Sequence, residues 1–193
     1  MRHTATAALA VVLLPLAGCG GLTPEEARAA GPVPAAGVRS GAAYNGEDVM
    51  FAQMLLAHNR LGVRIAKLAE GRRVRGEVAT LLAAMATTQA AEARDMAVWL
   101  AGRGLPATAD PAEHAAHGGM PGAGEEEIAA VENAPPAQFE RKLLDMLIAH
   151  QDDAVQLARA ELVAGTDPGI RKVAQRVDVS RSAQIDALLA LRP

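Results

Sequence analysis

At 193 residues, half of them hydrophobic and 2% aromatic, with a formal net charge of -3, the chain is sized for one packed domain. Mild acidity and so few rings exclude a nucleic-acid binder, which needs a basic stripe and aromatic faces for bases to stack on. Cys19 is the single cysteine, which excludes disulfides, thiolate metal clusters and a cysteine nucleophile from the domain that follows it.

The chain opens with Arg2, an apolar run from Ala7 to Leu16, and Leu16-Ala17-Gly18-Cys19. The run is about half of the roughly 20 residues that a membrane span needs. The segment resembles a bacterial lipoprotein signal with its lipobox. That resemblance implies a signal peptide over residues 1–18 and a lipidated Cys19. The expected location is the cell membrane, lipid-anchored on the extracytoplasmic face. Removal of 1–18 leaves 175 residues with 18 basic and 22 acidic side chains. Residues 19–44 are mostly Gly, Pro and Ala with scattered charges and no sustained apolar period, and read as a flexible tether.

From 45 onward the pattern is helical. Asn45 caps a first helix, with Asp48 in the capping-box position and Gly71 as its stop. Phe51, Met54, His58, Leu61, Ile65 and Leu68 step by three and four along its inner face. A second helix is predicted from about Val74 to Ala101, with Val78, Leu81, Met85, Gln89, Glu92, Met96 and Trp99 inward. The basic run Arg72-Arg73-Val74-Arg75 at the intervening turn reads as solvated charge, with lipid headgroups as a lesser reading. A short helical piece is predicted over Glu125–Asn133, then a helix from Pro136 to Ala164 with Leu143, Met146 or Leu147, His150, Ala154 and Leu157 inward. Asp167 as cap and Pro168 in the first turn open a last helix that runs almost to Pro193.

The chain is two copies of one unit. Met54–Ala66 and Met146–Ala158 align without a gap, six of thirteen positions being identical, at an offset of 92 residues. The domain therefore divides into repeat one (45–103), a linker (104–134) and repeat two (135–193). The predicted fold is all-α: a four-helix bundle made of two antiparallel hairpins.

Folding each hairpin about its turn puts His58, Glu92, His150 and Gln184 at mid-height, flanked by Gln89 and Arg181, with Met54, Met85, Met96 and Met146 close by. Such groups cannot be buried unpaired without a cost of several kcal/mol. Two accounts satisfy them. One is a register-setting layer, His58 bonded to Glu92 and His150 to Gln184. The other is a soft-metal site, because imidazole and thioether donors suit copper; it would draw on His58, His150, Met54, Met146, Met96 and Glu92.

These residues resemble the duplicated bacterial family known as domain of unknown function 305, ferritin-like in fold. The resemblance rests on Asp48, Phe51, Met54, His58, Ala66, Gln89, Glu92, Met96, Trp99 and Leu100 in repeat one. In repeat two it rests on Phe139, Asp145, Met146, Ile148, His150, Ala154 and Ala158, with Met120-Pro121-Gly122 in the linker. It implies copper binding in the cell envelope through Met54, His58, Met96, Met146 and His150. Where the family pattern has a second histidine, this chain has Asn59 and Gln151, so one imidazole remains per repeat. In the last helix Arg181, Gln184 and Leu188 replace the pattern's Gln, Glu and Met.

In the linker, His114, His117 and Met120 form a second candidate metal site. The Glu-x-x-His motif of di-iron bundles is absent, as is any Ser-His-Asp arrangement or phosphate loop, so no enzyme is expected. The expectation is thus a non-enzymatic, membrane-tethered weak binder of copper or another soft metal ion. The alternative is a cell-envelope interaction or structural module, with a protein partner, whose His/Glu/Gln layer only sets helix register.

Overall fold

The computed structural model describes residues 44–108 and 123–192. Cys19, the signal segment, most of the tether, and the linker residues His114, His117 and Met120 lie outside them. The described residues form five α-helices and no strand: α1 (Gly46–Lys67), α2 (Gly76–Ala101), α3 (Glu125–Glu132), α4 (Pro136–Ala164) and α5 (Pro168–Ala190). None is long and apolar enough to cross a membrane.

Local chemistry sets the boundaries. Asn45 Oδ1 accepts the Asp48 N–H at 3.1 Å and Asp48 Oδ2 accepts the Asn45 N–H at 2.7 Å, closing the expected capping box of α1. After α1 the chain turns through Gly71, whose φ of +71° is open to glycine at no steric cost. Asp167 Oδ1 accepts from Gly169 and Ile170 N–H at the start of α5.

α1 packs along α2, α4 along α5, and the two pairs meet chiefly through α1 against α4. The core has two apolar halves. One gathers Phe51, Leu55, Leu56, Met96 and Leu100 with Ala154, Ala158, Ile170 and Val177. The other gathers Ile65, Val78, Leu82 and Met85 with Phe139, Leu143, Leu144, Leu147 and Leu188. The start of α1 therefore lies beside the end of α4, and the two helices run antiparallel. Two inward positions shift by one residue from the sequence reading, Leu82 being buried rather than Leu81 and Leu100 more than Trp99, and of the two alternatives Met146 or Leu147 it is Leu147 that is buried. A one-residue offset is 100° of helix rotation, which periodicity over so alanine-rich a surface does not fix.

The basic turn is not simply solvated charge. Arg72 donates to the carbonyls of Glu132 and Ala134, each at 2.8 Å, and its guanidinium lies 3.9 Å from the Phe139 ring centroid. Arg75 pairs with Glu140 at 2.6 Å. These bonds tie the first turn to the entrance of α4.

Candidate functional site

Between the apolar halves lies a polar layer built on the 92-residue repeat. Asn59 Nδ2 donates to Glu92 Oε2 at 3.0 Å, and its counterpart Gln151 Nε2 donates to Gln184 Oε1. Gln89 Nε2 donates to Gln151 Oε1 at 3.0 Å, and its counterpart Arg181 Nη2 donates to Asn59 Oδ1 at 3.4 Å and to Glu92 Oε2. The layer is thus two equivalent three-residue networks, Asn59/Glu92/Arg181 and Gln151/Gln184/Gln89. Each takes its third member from the other hairpin. The expected His150–Gln184 bond is not made: Gln184 Oε1 takes the Gln151 amide, and neither His150 nitrogen has a hydrogen-bond partner among the described residues. Arg181, expected only to flank the layer, is fully buried within it.

His58 and His150, one from each repeat, stack between the networks with ring centroids 3.7 Å apart and planes 5° from parallel. Both are buried. Burial, then the neighbouring His58 and Arg181, pushes the His150 pKa down to about 2, so its ring is neutral at any ordinary pH, the form that binds metals. Parallel rings point their nitrogen lone pairs side by side, so the two imidazoles as stacked do not converge on one ion.

The six residues read as metal donors are not gathered in one place. Met54 and Met96 are buried, Met96 in one apolar half, while Met146 is partly exposed against the other. Glu92 is engaged by Asn59 and Arg181. Among the described residues, no three His, Cys, Asp or Glu side chains are placed to hold a metal ion. Met146 and His150 do line one cleft of about 350 Å³ with Glu127, Asp145 and Asp153.

Gly62 makes the close approach at the layer. A Cβ there would overlap Gln89 Oε1 and His150 Nε2. Gly62→Ala is therefore expected to displace both side chains and lower stability by about 1–3 kcal/mol, measured by urea unfolding. Unchanged stability would show that Gln89 and His150 are not fixed against this backbone.

A second buried polar site was not singled out from sequence. Asp48 accepts the N–H groups of Thr166 at 3.0 Å and Asp167 at 2.9 Å, and the Thr166 hydroxyl at 3.0 Å. Its repeat counterpart Glu140 accepts the N–H of Arg75, the counterpart of Asp167, at 2.7 Å. One carboxylate at each end of the bundle thus holds the N-terminus of the other hairpin's second helix. Burial alone would raise the Asp48 carboxyl, but the N–H groups of Asn45 and Asp167 and the side chains of Glu161 and Thr166 outweigh it and hold it low. Glu161, fully buried, is pushed up to about 8 by burial, by its hydrogen bond with Asp48, and by the charges of Asp48 and Glu47, against the opposing Arg171. Ionised, Glu161 would find no donor among the described residues; protonated, it can donate to the neighbouring Asp48 carboxylate. The only sequence signal for this pair was Asp48 itself, read as a cap.

The repeated Met54/Met146 and His58/His150 are now joined by a duplicated hydrogen-bonded layer. The model of the family described as "Domain of unknown function (DUF305)" matches residues 48–192. The chain belongs to this family. A fragment of a DUF305 protein from Deinococcus radiodurans is 25% identical, with a TM-score of 0.67 over 78% of this chain and 97% of that one. A putative secreted DUF305 protein from Streptomyces coelicolor is 24% identical, with a TM-score of 0.70 over 75% and 91%. CopM in its Cu(I)-bound form is 20% identical, with a TM-score of 0.59 over 74% and 93%. No curated protein matches the chain. The departures from the DUF305 pattern at Asn59 and Gln151 fall on the two hubs of the hydrogen-bonded layer, where an amide both donates and accepts.

Proposed function

We propose that this DUF305 protein is a non-enzymatic, extracytoplasmic binder of soft metal ions, copper foremost, built as a ferritin-like four-helix bundle. It would be tethered to the membrane by a lipidated Cys19 after loss of residues 1–18. The observation that carries the metal reading is His150: a neutral imidazole with no hydrogen-bond partner on either nitrogen among the described residues, lining a cleft with Met146. The choice of ion is supported by the structural neighbour CopM, described in Cu(I)-, Cu(II)- and Ag-bound forms. An extracytoplasmic site is supported by the secreted DUF305 neighbour.

Binding is expected to be weak. Each repeat keeps one imidazole; recruiting His58 or Glu92 requires the stack or a hydrogen-bond network to open, and Met54 and Met96 are buried side chains. His114, His117 and Met120 offer a separate locus in the linker. Titration of the full chain with Cu(I) against a competing chelator tests the assignment. His58→Leu/His150→Leu is expected to raise Kd at least about tenfold, as for loss of direct ligands, and His114→Ala/His117→Ala to change it less. Absence of binding by the unmutated protein overturns the metal reading.

A specific observation favours a second reading. The layer's two equivalent networks bridge the hairpins through side-chain hydrogen bonds, as a register-setting device in a structural or protein-interaction module would. There the histidine double variant would alter stability alone.

A further inference from the structure

The cleft beside His150 has a chemistry that the stacked pair alone does not explain. Its floor is one face of α4: Met146, Ala149, His150 and Asp153 follow at the spacing that lines up helical side chains. Glu127 of α3 faces them across the opening. Asp145, at one edge, is neutralised by Arg192 at 2.9 Å and Arg141 at 3.6 Å. Asp153 and Glu127 pair with no cation among the described residues, and Glu127 accepts only the Gly124 N–H, at 2.8 Å. Burial and the charges of Asp152 and Glu127 push the Asp153 carboxyl up, which marks a negative field over the cleft. Beneath it lies His150, 1% exposed and without a hydrogen-bond partner on either nitrogen among the described residues.

Carboxylates on a rim and soft neutral donors on a floor do different work. The first attract any cation over a distance and are poor ligands for Cu(I) or Ag(I); the second hold such ions by coordination. Since no three His, Cys, Asp or Glu side chains among the described residues are placed to chelate together, the rim residues described act by field rather than by forming a site. We infer that this cleft is the port through which a soft metal cation enters the bundle, Glu127 and Asp153 drawing it in and Met146 and His150 making first contact. This rests on the metal-binding reading above and adds its route and its kinetic control.

The test is rapid-mixing uptake of Ag(I) by the full chain carrying Cys19→Ser, so that no thiol competes, with unbound ion read by a fluorescent chelator. The native sequence is compared with Glu127→Gln/Asp153→Asn and with His150→Leu, each first checked for native-like circular dichroism and urea unfolding. The rim variant is expected to take up Ag(I) about 3–10-fold more slowly at roughly 20 mM ionic strength, and to lose most of the salt dependence of the rate. Its Kd should move less than its rate. His150→Leu should instead weaken binding at equilibrium. If uptake depends on His150 but the rim variant matches the native rate at every salt concentration, the port is wrong and metal binding stands. If the native chain takes up no Ag(I), or takes it up without regard to His150, the bundle site itself falls and the port with it.

Discussion

Arg181→Met is expected to destabilise the protein by about 3–5 kcal/mol, because it leaves the Glu92 carboxylate in the layer without its counter-charge. Arg181 is fully buried, and its Nη2 donates to both Glu92 Oε2 and Asn59 Oδ1. Burial pulls its pKa down and the Glu92 charge and hydrogen bond push it back; a guanidinium stays protonated under either influence. The pair links α2 to α5, so its loss also removes one of the two networks that fix one hairpin against the other. Urea unfolding of Arg181→Met, Glu92→Leu and the double variant forms a cycle. The double variant should recover much of the loss, since replacing both members of a buried pair with apolar groups is far milder than stranding one. A single variant within about 1 kcal/mol of native would show that the pair is not a buried ion pair in solution.

Glu161→Gln is expected to change the pH dependence of stability. The Glu161 carboxyl is raised in the folded state from 4.5 to about 8, so the folded protein binds more protons than the unfolded chain between those values. Its contribution is fully present below about 4.5 and is lost as pH rises through 8, with a slope of up to about 1.4 kcal/mol per pH unit. His150 works in the opposite sense: held neutral down to about 2, it gives stability that is present above the unfolded histidine value near 6.5 and lost as pH falls. Asp48, held low, likewise contributes stability that is lost only in strong acid. Between about 4.5 and 6.5 the Glu161 and His150 effects offset each other, and from 6.5 to 8 native stability falls. A glutamine at 161 keeps the shape and donates its amide to Asp48 without titrating. The variant should level off above pH 6.5 and exceed the native protein at pH 8 by roughly 2–4 kcal/mol. Parallel native and variant curves from pH 5 to 8 would mean that Glu161 and Asp48 share no proton.

The helices and their order were written in local signals: Asn45 with Asp48, Gly71, Pro136, and Asp167 with Pro168 act within four residues of themselves, so sequence alone places them. The repeat was equally plain, and with it the pairing of His58 with His150 at one height. All-α architecture and DUF305 membership followed from these. What tertiary structure alone decided is which polar group meets which. Counting residues from a turn locates a layer to within about one helical turn of 5.4 Å, whereas a hydrogen bond is specified to a few tenths of an ångström. Hence Asn59 and Gln151, which in sequence were only the loss of a histidine, became the hubs of the layer, and His150 has no hydrogen bond among the described residues. Asp48 was legible as a cap, but its hold on Thr166 and Asp167 spans more than a hundred residues, and Glu161 carried no mark at all. Burial raises its proton affinity, and burial is a property of how α1 docks on α4 and not of the residues beside it in the chain.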